Sequence, residues 1–171
     1  MEITTKFIIG TEQGRNLLAT LAKEIAVEKF SHLIGSQLLE SYITKKFNDK
    51  NLIAEMNSMS NQWLVVYTGD TPVGYACITS NGKKPKNQED VRMMRIADFG
   101  ILKKYDDATA RLSLLEKCLV MSKSYDGLWI QEYKENPLIA FFESERFVIQ
   151  DESSPHEELP LTSIFLVKKN L

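Results

Sequence analysis

Met93 to Lys123 reads MMRIADFGILKKYDDATARLSLLEKCLVMSK, and the fold turns on how this stretch is understood. Met93 to Leu102 has the apolar character of a strand, Lys103 to Asp107 form a polar turn, and Leu112, Leu114, Leu115, Leu119 and Val120 then recur on a helix. A strand that passes into a helix through a short polar turn is a common place for α/β proteins to hold a phosphate. The first helical N–H groups have no intrahelical partner, and the helix dipole is positive at that end. The chemistry of this turn is unusual. Between Gly100 and Gly127 there is no glycine, and Asp106 and Asp107 stand where a phosphate would lie.

Upstream, Gln62–Tyr67 (QWLVVY) and Pro72–Thr79 (PVGYACIT) have strand composition, and Gly69-Asp70 between them supplies hairpin turn chemistry. The two are expected as antiparallel neighbours. Ser80–Asp90 (SNGKKPKNQED) is a polar loop whose Lys83, Lys84 and Lys86 face solvent as a hairpin tip, or an anion. Nearer the start, Ile3–Ile9 is β-branched and Gly10 ends it. Thr11 then caps a helix that carries Gly14, Leu17, Leu18, Leu21, Ile25 and Phe30 at helical spacing. Ser36–Phe47 repeats that spacing with Leu38, Leu39, Tyr42, Ile43 and Phe47, and Leu52–Met56 is one more helical piece capped by Asn48 or Asp49.

Downstream, Leu128–Tyr133 (LWIQEY) is a strand, and Asn136–Phe147 (NPLIAFFESERF) is a short helix with Pro137 just inside its start. Phe147–Gln150 leads into an acidic loop, Asp151–Pro160, and Thr162–Val167 closes the chain as a strand. The order β, α, α, β, β, β, α, β, α, β, β implies an α/β (α+β layered) fold with a mixed, mostly antiparallel central sheet flanked by helices.

The chain of 171 residues is long enough for one domain with a substantial core, expected to span residues 1–171. With 21 basic and 23 acidic residues and a net charge of -2, it lacks the basic excess of a general nucleic-acid binder. Cys77 and Cys118 lie far apart in strand and helix patterns and read as free core thiols. No apolar run approaches the roughly 18 residues that cross a bilayer, and no signal-like segment opens the sequence, so no membrane partner and a cytoplasmic location are expected.

Three local patterns in this order resemble the GCN5-related N-acetyltransferase superfamily over almost the whole chain. Gln62–Tyr67 through Pro72-Val73-Gly74-Tyr75-Ala76 is similar to the family's central hairpin. Leu128–Tyr133, Asn136 and Ala140–Phe147 are similar to its strand and helix ending in FYxxxGF. Lys46-Phe47-Asn48, Leu52, Glu55-Met56 and Ser60 resemble the bacterial polyamine N-acetyltransferase branch.

The resemblance implies acetyl-CoA as cofactor, its pyrophosphate held by backbone N–H groups of a Q/R-x-x-G-x-G/A turn. The matching run is Asp106–Arg111, with Asp106 at the Gln/Arg position, Thr109 at the first Gly and Arg111 at the last. Asp107, Ala108, Thr109, Ala110 and Arg111 are thus the expected cofactor-binding residues of the turn. A Thr or Arg side chain obstructs close approach, and an Asp carboxylate competes for the same N–H groups. Lys103, Lys104 and Arg111 supply compensating charge.

In the same reading, N–H groups of Gly100, Ile101 and Leu102 hold the thioester carbonyl, with Gly100 allowing a splayed strand. Asn136 matches the asparagine on the CoA arm with one residue deleted. Phe142 stands at the position of the tyrosine that protonates the leaving thiolate, and it has no proton to give. Arg146 replaces the glycine before Phe147.

Asp98, Tyr105 and Tyr133 are the expected catalytic proton carriers; His32 and His156 have no matched partners for a triad. The implied reaction is direct attack of a small amine, such as a polyamine, on acetyl-CoA, with Glu55, Asp98 or Glu132 drawing in a cationic substrate. Two alternatives stay open. One is a non-catalytic binding or regulatory domain that has lost acetyl-CoA. The other is a half-domain that pairs Ile164–Val167 with a partner chain, as in a homodimer.

Overall fold

The computed structural model describes residues 1–170. Seven strands and five α-helices follow in the order β1(Ile3–Ile8), α1(Glu12–Phe30), α2(Ser36–Phe47), α3(Asp49–Asn57), β2(Asn61–Thr68), β3(Thr71–Thr79), β4(Met93–Ile101), α4(Ala108–Met121), β5(Gly127–Tyr133), α5(Leu138–Ser144), β6(Val148–Pro155) and β7(Thr162–Lys169). The strands form one mixed sheet in the order β1-β2-β3-β4-β5-β7-β6. The β4/β5 pair is parallel, whereas β1/β2, β5/β7 and β6/β7 are antiparallel. The described residues fall into two compact units, Met1–Ile78 with Asp98–Cys118, and Thr79–Ala97 with the chain from Leu119 onward. No helix among the described residues is long and apolar enough to cross a membrane.

In the first unit the caps are those the sequence offers. Thr11 Oγ1 accepts the Gly14 N–H at 3.0 Å and starts α1. Asn48, rather than Asp49, caps α3 by accepting the Asn51 N–H at 2.8 Å. The stripe of α1 is buried at Leu18, Leu21, Ala22, Ile25 and Ala26, and Leu64, Val65 and Val66 of β2 are fully covered. Gly100 lets α1 approach β4. A Cβ there would lie 2.6 Å from Ile25 Cγ2 and 3.2 Å from Lys29 Cε, closer than packed atoms tolerate. On α4, Ala110, Leu114, Leu115 and Cys118 face the core, whereas Val120 is 61% exposed.

In the second unit Met93, Trp129, Phe165 and Val167 form a small core, and Arg95 lies over the Trp129 ring, its guanidinium carbon 4.8 Å from the centroid. Asp151–Pro160, expected as a loop, is strand as far as Pro155. The strand was hidden because β6 is an edge strand with polar residues on both faces, and because its register with β7 shifts between Ile149 and Ser153 at a bulge. Asn136–Phe147 contracts to α5, with Pro137 as its N-cap rather than inside it. Strand β7 lies between β5 and β6, so both of its edges are paired. That closes the expected pairing of Ile164–Val167 with a partner chain.

Candidate functional site

The first unit gathers a charged cluster around Asp98 of β4. Lys29 Nζ of α1 lies 3.4 Å from Asp98 Oδ1 and donates to the Phe99 carbonyl at 2.8 Å. Lys46 Nζ of α2 lies 3.7 Å from Asp98 Oδ2 and donates to Tyr42 Oη at 3.0 Å. Tyr75 Oη of β3 donates to Asp98 Oδ2, and the Phe99 N–H donates to Oδ1 at 3.0 Å. The side chains of Lys29 and Asp98 are only 13% and 15% exposed, and that of Lys46 is 29% exposed. Burial alone would raise the Asp98 carboxyl. The ammonium groups of Lys46 and Lys29 and the Tyr75 bond outweigh it and hold the group well below the usual carboxylate range. Burial, followed by the Asp98 charge, pushes the Tyr75 hydroxyl well above its ordinary value. Asp98 is thus fixed as an anion between two cations.

The turn after β4 is lined by the protein's own carboxylates. Asp107 Oδ1 accepts the Ala110 N–H at 2.8 Å at the start of α4. Glu28 of α1 receives the Lys103 N–H at 3.0 and 3.2 Å. Arg111 Nε lies 2.9 Å from Asp106 Oδ1 and 3.2 Å from the Asp107 carbonyl. Burial raises the Asp106 carboxyl, Asp107 and Glu28 add to the effect, and Arg111 opposes it. Among the described residues the N–H groups of Ala108 and Thr109 have no partner, and both residues are exposed.

A pyrophosphate therefore fits this turn in weakened form. Two N–H groups are open, Lys103 and Lys104 are exposed beside them, and the exposed Asp107 must swing aside to free a third. Leu102 is not a free donor, because its N–H bonds to the Val73 carbonyl at 2.8 Å. Gly100 and Ile101 are buried at the end of β4. The β4/β5 ladder joins Met93–Ile96 to Gly127–Ile130 and stops there, although the strands continue to Ile101 and Tyr133.

In the second unit Asn136 and Phe142 have structural tasks. Asn136 is buried, donates to Glu132 Oε2 at 2.7 Å and accepts the Leu138 N–H at 2.9 Å, which caps α5. Phe142 is fully buried. Phe147 N–H bonds to the Phe142 carbonyl at 3.0 Å and Arg146 N–H to that of Glu143 at 3.1 Å, the paired bonds of a Schellman ending. The Phe142 and Phe147 rings meet at 5.3 Å, supplying the hydrophobic contact of that motif. Its left-handed position falls on Arg146, with φ of 71°, where glycine costs least. Tyr133 of this unit is buried. Tyr105, in the first unit, is half-buried beside Lys104.

Lys29, Lys46, Tyr75 and Glu28 are the participants that sequence reasoning missed. Two signals were present: Lys29 follows Ile25 by one helical turn on a buried stripe, and Lys46 follows Tyr42 in the same way.

This arrangement is the fold of the GCN5-related N-acetyltransferases. Among solved structures, the chain is similar to the PaiA N-acetyltransferase of Thermoplasma acidophilum in complex with coenzyme A, at 14% identity over 99% of this chain and 100% of that one, with a TM-score of 0.77. It is also similar to an acetyltransferase of Thermus thermophilus, at 18% identity over 98% and 97% of the two chains with a TM-score of 0.69. An N-acetyltransferase of Staphylococcus aureus matches at 13% identity over 99% of each chain with a TM-score of 0.71. No family model matches the sequence, and no curated protein matches it. At these identities the likeness establishes the fold, and function has to be argued from the site.

Proposed function

We propose that the protein is an acyl-CoA-dependent N-acetyltransferase that works as one cytoplasmic domain on a small amine. The observation that supports this most is the exit of β4: its ladder to β5 stops at Ile96, and the strand runs on into an exposed helix start with two unpartnered N–H groups. Bound acetyl-CoA would supply an acetyl group activated as a thioester. Ala108 and Thr109 would hold phosphate oxygens through their N–H groups, with Lys103 and Lys104 adding positive charge. Gly100 and Ile101 would orient the carbonyl. Tyr105 keeps the role of proton carrier in this reading, in preference to Asp98, whose paired lysines hold it ionised and weakly basic.

A second reading, a binding or regulatory module without acetyl-CoA, is favoured by the Asp107 carboxylate on the Ala110 N–H and by Phe142 serving as a packing residue. Incubation with acetyl-CoA and a panel of small amines, spermidine included, followed by mass spectrometry separates the two. Protein-dependent acetylation of any amine supports the transferase. No product from the whole panel supports the module.

A further inference from the structure

A cavity of about 700 Å³ lies in the second unit, on residues distinct from the turn after β4. Lys123 just past α4, Arg146 just past α5, and Lys168 and Lys169 of β7 line it, and among the described residues no carboxylate does. Among the described residues none of these four cations makes an ion pair; Lys168 Nζ donates to the Glu145 carbonyl at 3.0 Å. Gathering like charge around one concavity without a counter-ion raises its potential and selects for an anion.

Two further observations point to a ligand. Gln88 lines the cavity, is only 6% exposed, and its buried Oε1 has no hydrogen-bond partner. Such an acceptor is costly unless something donates to it. Arg146 holds its charge there at a left-handed backbone position, φ of 71°, that disfavours every residue with a Cβ. Leu119 and Val148, the latter paired across the ladder from Val167, form an apolar wall, and Gln150 and Asn170 complete the lining. The volume suits a ligand of small organic size.

We infer that this cavity binds a small phosphorylated ligand of nucleotide size, its phosphates on Lys123, Arg146, Lys168 and Lys169, and its organic body on the apolar wall with a donor to Gln88. The reading is independent of acetyl transfer. Calorimetric titration of the full chain at low salt, with ADP, inorganic pyrophosphate and adenosine as separate probes, tests it. Saturable ADP binding is expected, tighter than that of pyrophosphate or adenosine. It should weaken about tenfold in Arg146→Gly and in Lys123→Gln, and change less than about twofold in Asp107→Gly. Arg146→Gly relieves the backbone, so a loss of binding with an unchanged or higher Tm is a loss of the site and not of the fold. Absence of saturable ADP binding up to about 10 mM overturns the proposal, as does binding that neither cavity variant affects. Pyrophosphate binding as tightly as ADP refutes a site built for an organic body.

Discussion

Replacing Asp107 with glycine takes one carboxylate off the start of α4 and leaves a residue that caps almost as well. The helix should lose only a few tenths of a kcal/mol. For CoA the change acts twice. The Ala110 N–H, now 2.8 Å from Asp107 Oδ1, is released to join those of Ala108 and Thr109. A hydrogen bond from it to a charged phosphate oxygen contributes about 1.5 kcal/mol. Removing an exposed negative charge a few ångströms from the phosphate adds roughly 0.5 kcal/mol after solvent and salt screening. The sum, about 2 kcal/mol, corresponds to a Kd lowered about thirtyfold. The assay is calorimetric titration of CoA into both proteins at low salt, each also carrying Arg146→Gly so that binding in the basic cavity of the second unit is weakened equally in both. Affinities within twofold of each other, with both proteins folded, would refute the claim that Asp107 competes with phosphate.

Arg146→Gly should raise stability by about 1 kcal/mol, read as a higher denaturant midpoint, because the Schellman position then carries no Cβ; Arg146→Val should lower it. Asp98→Asn leaves Lys29 and Lys46 without their shared counter-ion and should cost about 3 kcal/mol at pH 7. Because the folded carboxyl lies below its unfolded value, that contribution is complete above about pH 4 and fades as pH falls further, so the two proteins should converge in acid. Gly100→Ala places a Cβ 2.6 Å from Ile25 Cγ2 and should cost about 1–3 kcal/mol in urea unfolding.

The fold was legible where a residue's role is local. Thr11, Asn48 and the Gly69-Asp70 turn mark element ends by their own chemistry, and the apolar stripe of α1 has the period of a helix against a sheet. Strand β6 was not legible past Gln150, since an edge strand held by its partner's backbone needs no alternation of its own. The site was half legible. Asp106, Asp107 and Arg111 could be placed at the turn by spacing, and the caution about an aspartate cap is met by the Ala110 bond. The sequence could not show that Asp98 is neutralised by lysines 69 and 52 residues before it, because that depends on helix packing across Gly100. Nor could it show that Phe142 serves a helix ending, although Arg146 in a glycine position was the visible trace.

On the function proposed above, the turn after β4 would be a weakened but working acyl-CoA site. The most direct test is titration of acetyl-CoA into the Arg146→Gly protein at low salt, read by heat and by Tm. Saturable binding that Asp107→Gly tightens is expected. No heat and no Tm shift up to about 10 mM acetyl-CoA, in either that protein or its Asp107→Gly derivative, would contradict it.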